Sequence, residues 1–596
     1  MSKLFIEDSS LTAIGNAIRA KTGETGLLSV PSGMVEAINN ISAGSGGTPA
    51  VIQPLTITAN GTYAAPSGVD GYSPVIVNVP TNTVSPDNDV KSLVRKTITT
   101  YSDDEVEVIG DYTFQECEYL TSVDIPNVKL IEEYAFKKCY SLVGINAPLV
   151  EEIRTSAFSN CGVGEYPILN VVFPKLTTLG SYAFAWSNNL KSIDLPLLTE
   201  TSNYAFRDCE YLESVNMPLL EIIADNTFYN CDILENINFP KVTTIGSYAF
   251  YKSGLTTADF PLVGTIGNSA FRDCGKLESV SFEKATVIEP YAFYNCGFIE
   301  EFNFPLVQEI GEYAFAEGNV SSVTTSVNFP TVDVIHNSAF DGGNNIAYFS
   351  FPNATRIEDR VFSNNTLFYI NAQNVNYIGE EAFYNCNHIS DFNFPLCNEV
   401  YKKAFNHCDG LERVFLSSAQ LMGNSIFTDS GVETVYINNT TDIPNYTFQR
   451  CSKLETVYAG NAKTIGEMAF FKCSSLKSIN VSSAEIIKFN AFSECTSLES
   501  INLPKASSIA VGAFNDSTSL NAVILRNIES ICNISDYTIF DNTPIGDGIG
   551  YIYVPFLLLE EYQNATNWTV FRGQFRALED YTVDGTTTGA LDETKI

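Results

Sequence analysis

The segment IEEYAFKKCYSLVGINAP, residues 131–148, contains the pattern that organises most of this chain. The pattern has the general form I-G-x-x-A-F-x-x-C-x-x-L-x-x-I-x-x-P, and phenylalanine is the residue that recurs most regularly in it. A fixed period of 21 or 22 residues separates these phenylalanines, except for three longer steps ending at Phe184, Phe340 and Phe540. They are Phe114, Phe136, Phe158, Phe184, Phe206, Phe228, Phe250, Phe271, Phe293, Phe315, Phe340, Phe362, Phe383, Phe405, Phe427, Phe448, Phe470, Phe492, Phe514 and Phe540. Such a period is typical of repeat architectures in which each coil is one structural unit.

Each repeat predicts a short strand with one buried face. Apolar residues stand six, nine and eleven positions after the phenylalanine, as at Leu120, Val123 and Ile125. The alternation of the last two is typical of a half-buried strand. Because one coil cannot bury its own apolar edge, we expect stacked coils with strands about 4.8 Å apart and the phenylalanines in one column. The sequence therefore predicts a repeat solenoid: an arc of about twenty 22-residue coils with a parallel β-ladder, preceded by small helical and β modules.

The repeat resembles the BspA-like leucine-rich-repeat family, whose coils read approximately L-x-x-I-x-L-P-x-x-L-x-x-I-x-x-x-A-F-x-x-C. The resemblance covers about residues 105–545. It implies a leucine-rich-repeat fold. Members of that family generally act as adhesins or recognition surfaces, so the resemblance also implies a binding role rather than catalysis.

The chain is strongly acidic, with 69 Asp and Glu against 34 Lys and Arg and a net charge of −35. A surface of this sign repels nucleic-acid phosphates and anionic lipids because it cannot release their counterions. We therefore expect neither nucleic acid nor membrane as a partner.

The sequence shows no basic segment followed by an apolar run at its start, and no stretch of about 18 apolar residues. We expect no signal peptide and no transmembrane segment.

Cysteine occupies one slot of the repeat, three residues after the phenylalanine. Twelve of the 14 cysteines stand there: Cys117, Cys139, Cys161, Cys209, Cys231, Cys274, Cys296, Cys386, Cys408, Cys451, Cys473 and Cys495. Other coils have Ser187, Ser253, Ser430, Ser517 or Thr543 in the same slot. The slot thus favours a small buried group that can bond to nearby backbone, not a disulfide. No C-x-x-C pair suggests a metal site, and we expect no metal and no cofactor.

No motif in the sequence indicates catalysis. Nucleophile, zinc-protease and phosphate-loop fingerprints are missing, and the three histidines stand outside any such pattern. We therefore expect no catalytic residues and no enzymatic activity.

The outward face of the predicted ladder changes character along the chain. The two residues that flank the second apolar position should point outward on the concave side. The position after the second apolar residue carries Asn, Asp or Ser in most coils but changes to Phe415, Tyr436 and Tyr458. The position before it holds Tyr348, Tyr369, Asp391 and Arg413 in neighbouring coils. Exposed aromatic and charged groups suit stacking on sugar rings or binding a protein epitope. Cross-strand stacking that only stabilises the sheet is the alternative.

The N-terminal segment predicts two short amphipathic helices. The first, within residues 9–22, carries Leu11, Ile14 and Ile18 on one face, and the second begins near Pro31 with Met34 and Ile38. The stretches LTAIGNAIRAKTGETGLLSVPSGMVEAINNI and ITANGTYAAPSGVDGYSPVIVNV resemble N-terminal segments of tail-fibre and receptor-binding proteins of phages that infect Gram-positive bacteria. This resemblance implies attachment to other virion tail proteins through these apolar faces, a possible homotrimer, and a place in the virion tail after synthesis in the host cytoplasm.

The sequence therefore divides into six parts. They are a helical attachment segment (1–42), a Gly/Ser linker (43–50), a small β-module (51–80), a linker and N-cap (81–104), the solenoid (105–545), and a C-terminal cap and tail (546–596). In the last part, a helix around residues 556–563 and Trp568 should cover the open edge of the final coil.

These features favour a phage tail receptor-binding protein that recognises a glycan or protein receptor on the bacterial surface. The alternative is a bacterial BspA-like surface adhesin. A third hypothesis, a polysaccharide depolymerase, requires clustered carboxylates in a groove.

Overall fold

The computed structural model describes residues 98–162, 169–297, 299–318, 325–342 and 346–578, together with the backbone of four short strands nearer the N-terminus. The chain divides into two compact units, Met1–Glu283 and Lys284–Ile596. In both units most coils contribute one strand of three to five residues and one strand of two residues, joined by tight turns. We call the two resulting sets of strands the long-strand ladder and the short-strand ladder.

The long-strand ladder is built from parallel strands in successive coils. In the first unit its strands are Ile98–Ser102, Ser122–Asp124, Gly144–Asn146, Leu169–Val172, Leu190–Asp194, Ser214–Asn216, Asn236–Asn238, Thr257–Asp259 and Ser279–Ser281. In the second unit they are Glu301–Asn303, Thr325–Asn328, Ile346–Ser350, Tyr369–Asn371, Asp391–Asn393, Arg413–Phe415, Thr434–Tyr436, Thr456–Tyr458, Ser478–Asn480, Ser500–Asn502, Ala522–Ile524, Tyr551–Val554 and Phe575–Ala577. Equivalent residues pair directly, as Val414 does with Val435.

The short-strand ladder carries the apolar pair that precedes each Ala-Phe turn. In the first unit its strands are Val108–Ile109, Leu130–Ile131, Glu152–Ile153, Thr178–Leu179, Ile222–Ile223, Thr244–Ile245 and Thr265–Ile266. In the second unit they are Val287–Ile288, Glu309–Ile310, Val334–Ile335, Arg356–Ile357, Tyr377–Ile378, Glu399–Val400, Leu421–Met422, Asp442–Ile443, Thr464–Ile465, Ile486–Ile487, Ser508–Ile509 and Asn533–Ile534. The second residue of each strand is buried, so this ladder closes one side of the core.

The repeat phenylalanines form stacked columns inside each unit. In the first unit the rings of Phe136 and Phe158 are 5.1 Å apart, and in the second unit those of Phe470 and Phe492 are 4.9 Å apart. These four rings are fully buried. The solenoid fold that the sequence predicts is therefore confirmed, with the phenylalanine column as the centre of its core.

The turns around the repeat phenylalanines contain residues with a left-handed backbone conformation, which the sequence pattern does not predict. Residues two before and two after the phenylalanine have positive φ, as at Tyr134 (57°) and Lys138 (64°) around Phe136. Non-glycine residues rarely adopt this conformation. It persists here because the next coil fixes the backbone: the Phe136 N–H donates to the Ala157 carbonyl at 2.7 Å, and the Lys138 N–H donates to the Ser159 carbonyl at 2.8 Å.

The four N-terminal strands are Lys3–Ile6, Leu55–Thr58, Gly61–Tyr63 and Val75–Val77. Lys3–Ile6 pairs antiparallel with Leu55–Thr58 and with Ile98–Ser102, while Gly61–Tyr63 pairs antiparallel with Val75–Val77. The helices predicted in residues 9–22 and from Pro31 lie outside the described residues.

The C-terminal end of the second unit is closed by short helices. They are the 3-10 helices Tyr537–Phe540, Phe556–Leu558 and Trp568–Gln574 and the α-helix Leu559–Asn564. The indole N–H of Trp568 donates to the Cys532 carbonyl at 2.7 Å, and the Cys532 N–H donates to the Tyr562 hydroxyl at 2.8 Å. Both aromatic side chains are buried, so they cover the last coil and satisfy its backbone groups.

Candidate recognition surface

The outward face of the long-strand ladder in the second unit carries the aromatic residues that the sequence singles out. The middle residue of each strand from Tyr369–Asn371 to Thr456–Tyr458 is buried, as Val414 and Val457 are, so the first and third residues point outward. The register places Phe415 beside Tyr436 and Tyr436 beside Tyr458. Alternating burial along these strands thus brings the three rings into one column.

The three rings of this column stack face to face. Phe415 and Tyr436 have ring centroids 4.8 Å apart with 6° between their planes, and Tyr436 and Tyr458 are 4.7 Å apart with 5° between planes. Both faces of Tyr436 are therefore covered by its neighbours. A sugar ring needs an open aromatic face, so the middle of this column offers only its ring edge and its hydroxyl. The contacts fit the cross-strand stabilisation that the sequence left open as an alternative.

Tyr348 and Tyr369 differ from the stacked column because their rings are more open. They pair in register at the first outward position of adjacent strands, and their exposed fractions are 51% and 52%. By comparison Tyr458 is 37% exposed, and Phe415 and Tyr436 are partly buried. Tyr348 and Tyr369 are thus the better platform for a ligand on this face.

Sequence reasoning missed a neighbouring aromatic pair. Phe368, immediately before Tyr369, is 41% exposed and stacks on His388 with ring centroids 5.0 Å apart. In the following coils the position of Phe368 holds Ser390, Glu412 and Glu433. The change from polar residues to phenylalanine at this position was the sequence signal that could have found it.

An ion pair occupies the next two coils at the first outward position. The Arg413 Nε donates to Asp391 Oδ1 at 2.6 Å, and the Ser390 hydroxyl donates to Asp391 Oδ2 at 2.9 Å. The hydrogen bond to the Asp391 carboxylate and the charge of that carboxylate raise the pKa of Arg413. Both side chains are exposed, so the pair contributes little to stability. It can offer oriented acceptor and donor groups to a ligand.

The cysteine slot holds a small buried group that bonds to nearby backbone, as the occurrence of Cys, Ser and Thr in this slot predicts. All 14 cysteines are buried free thiols. The Sγ of Cys473 donates to the Phe448 carbonyl of the preceding coil at 3.0 Å, and the Ser517 hydroxyl donates to the Phe492 carbonyl at 2.8 Å. Burial raises the pKa of Cys473 well above its usual value. The hydrogen-bonding role of the slot is confirmed. The raised pKa of the Cys473 thiol makes its thiolate form unfavourable.

Within the described residues, no group of three or more His, Cys, Asp or Glu side chains is placed to hold a metal ion. The helices within the same ranges are all too short or too polar to span a lipid bilayer. The candidate attachment residues Leu11, Ile14, Ile18, Met34 and Ile38 lie outside the described part of the chain.

Parallel coils, a phenylalanine column and an outward strand face together define the class of this protein as a leucine-rich-repeat β-solenoid. The family described as BspA type leucine rich repeat region matches residues 107–220, 163–262, 199–323, 308–433 and 420–546. The chain therefore belongs to the BspA-type leucine-rich-repeat family.

Solved structures of leucine-rich-repeat proteins from bacteria are similar to this chain. A leucine-rich repeat protein from Bacteroides ovatus has 19% identity and a TM-score of 0.25 over 81% of this chain and 94% of its own. A leucine rich cell surface protein from Faecalibacterium prausnitzii has 22% identity and a TM-score of 0.29 over 64% of this chain and 89% of its own. A leucine-rich repeat protein from T. pallidum has 29% identity and a TM-score of 0.23 over 25% of this chain and 70% of its own. No curated protein matches the sequence at a significant level.

Proposed function

We propose that this protein is a non-catalytic, adhesin-type recognition protein that binds a glycan or protein receptor on a bacterial surface. The binding surface is the outward face of the long-strand ladder in the second unit, from Tyr348 to Tyr458. The single observation that carries the proposal is the pair of half-exposed rings of Tyr348 and Tyr369. Large exposed aromatic side chains that are clustered on one face mark interaction sites, because burying them against a ligand is favourable.

Two further features support this surface. The Asp391–Arg413 pair supplies a carboxylate and a guanidinium with little net charge, in a chain whose net charge is −35. This combination favours a neutral or weakly basic ligand over an anionic one. Membership of the BspA-type family supports a recognition role for the protein as a whole.

The test is a cell-binding assay with the full chain. Fluorescently labelled protein is incubated with a panel of Gram-positive bacteria, and the double variant Tyr348→Ser/Tyr369→Ser is compared with the matched double variant Tyr119→Ser/Tyr211→Ser. The control tyrosines are similarly exposed but lie in turns of the first unit. We expect the Tyr348/Tyr369 variant to bind about tenfold or more weakly and the control variant to bind normally. Equal binding by all three proteins would refute the proposed surface.

A second candidate is a phage tail receptor-binding protein, and the observation that favours it is the sequence of the first 80 or so residues. It uses the same recognition face but adds attachment to the virion tail through residues 1–42 and a possible homotrimer. Immunodetection separates the two candidates: the adhesin should appear on the surface of the bacterium that produces it, and the tail protein should appear in purified phage particles. Mass photometry of the purified chain tests the trimer.

A further inference from the structure

A groove with a mixed polar and apolar lining lies on the outward face of the long-strand ladder in the first unit. It has a volume of about 450 Å³ and crosses the strands from Leu169–Val172 to Asn236–Asn238. Its outward lining includes Val172, Ser192, Asp194, Ser214, Asn216 and Asn238. The groove therefore runs along the stacking direction of the coils, so an occupant that fills it has to be extended.

An ordered row of amide groups forms one side of this groove. The Asn238 Nδ2 donates to Asn216 Oδ1 at 2.8 Å, and the Asn216 Nδ2 donates to Asp194 Oδ1 at 2.7 Å. Each bond uses one of the two N–H groups of an amide and one lone pair of its acceptor oxygen. The bonds also fix the orientation of the amides, so their remaining donors and acceptors are ordered before a ligand binds. A ligand that bonds to them loses less conformational entropy on binding.

The chemistry of the lining selects the class of ligand. The hydroxyl groups of Ser192 and Ser214 and the amides of Asn216 and Asn238 supply both donors and acceptors. Val172, 56% exposed, adds an apolar patch at one end. The lining includes the carboxylate of Asp194 and no Lys or Arg, so it disfavours anionic chains. A neutral chain of hydroxyl and C–H groups matches this lining.

We propose that this groove is a binding site for a neutral polysaccharide, whose hydroxyls bond to the row of side chains formed by Asp194, Asn216 and Asn238. Repeating sugar units meet a repeating row of side chains on coils about 4.8 Å apart, so several weak bonds add along one chain. The site is formed by residues of the first unit alone, and it goes beyond the aromatic surface proposed above.

The chain offers a matched control for the test. Asn146 holds the same outward position in the first unit and donates to Asp124 at 2.8 Å, but it does not line the groove. Asn216→Val removes two exposed hydrogen bonds of the row, Asn146→Val removes one exposed hydrogen bond of the same kind, and valine suits a strand in both places. Thermal unfolding of both variants checks that they fold.

The experiment is affinity electrophoresis of the full chain in native gels that contain dextran, laminarin, galactomannan or soluble starch, with hyaluronan as an anionic comparison. We expect at least one neutral polysaccharide to retard the protein, Asn216→Val to weaken that binding about tenfold, and Asn146→Val to change it by less than about twofold. The Tyr348→Ser/Tyr369→Ser variant should keep the retardation, which separates this site from the proposed function. The inference is overturned by no retardation in any neutral polysaccharide, by binding of hyaluronan alone, by equal loss in the two asparagine variants, or by loss in the tyrosine variant.

Discussion

The cysteine slot links successive coils through a hydrogen bond from its side chain to the backbone. Cysteine, serine and threonine replace one another at this slot, and the property they share is a small side chain with a hydrogen that it can donate. The structure supplies the acceptor, which is the carbonyl of the repeat phenylalanine one coil earlier. The partner could not be predicted because it depends on the stacking register of the coils and not on local sequence.

Substitution of Cys473 tests this role directly. Serine should be tolerated because Ser187 and Ser517 already make the same bond in other coils, to the Phe158 and Phe492 carbonyls. Valine removes the donor to the Phe448 carbonyl, which should lower the free energy of unfolding by about 0.5–1.5 kcal/mol. Chemical denaturation of the two variants measures the difference. A serine variant that is less stable than the valine variant would contradict the proposed role of the hydrogen bond.

The buried thiols also predict a loss of stability at alkaline pH. Burial raises the pKa of Cys209, Cys408 and Cys451 to about 12, whereas an unfolded thiol ionises near pH 8.5, about its ordinary pKa. Below the unfolded pKa both states are protonated and stability is retained. Above it only the unfolded state gains from ionisation, so each thiol removes about 1.4 kcal/mol per pH unit until the folded pKa is reached.

Thermal midpoints between pH 7 and pH 10 check this expectation. The triple variant Cys209→Ser/Cys408→Ser/Cys451→Ser retains a hydroxyl in each slot but has three fewer titrating thiols. Its midpoint should fall less steeply with pH than that of the unchanged protein. Parallel curves for the two proteins would show that these thiols do not govern the alkaline response.

At the scale of elements, the period of the sequence predicts the strands, but it does not predict the turns between them. Strand and column positions follow from hydrophobic spacing, which is why Phe136 and Phe470 fall where expected. The left-handed residues Tyr134 and Lys138 carry no glycine signal, because their conformation is fixed by bonds from the next coil. The sequence likewise suggests that Phe415 and Tyr436 are neighbours. It does not show whether their rings stack on each other or stay open to a ligand.

The phenylalanine column should be the most sensitive element to truncation. Phe448 is fully buried and stacks on Phe427 at 5.2 Å and on Phe470 at 5.1 Å. Phe448→Ala leaves a cavity between coils and should lower the free energy of unfolding by about 3–5 kcal/mol. Phe489→Ala, at an exposed ring outside the column, is the control and should change stability little. Equal denaturation midpoints for the two variants would contradict the role assigned to the column.

At the scale of the whole molecule, most of the fold could be predicted from the sequence, but only part of the binding surface could. The sequence identifies Tyr348, Tyr369, Asp391 and Arg413 as outward residues. The degree of exposure that separates the open rings of Tyr348 and Tyr369 from the covered ring of Tyr436 depends on how neighbouring side chains pack. The groove beside Asn216 also depends on three-dimensional shape, since the same Asn and Asp pattern continues through coils that do not line it.

Recognition through the outward face of the second unit is the central claim, and oxidative footprinting on bound cells tests it most directly. Hydroxyl radicals modify exposed tyrosines, and mass spectrometry compares their modification in free protein and in protein bound to bacteria. We expect strong protection of Tyr348 and Tyr369 on binding, with unchanged modification of Tyr119 and Tyr211. Unchanged modification of Tyr348 and Tyr369 together with protection of Tyr119 or Tyr211 would contradict it.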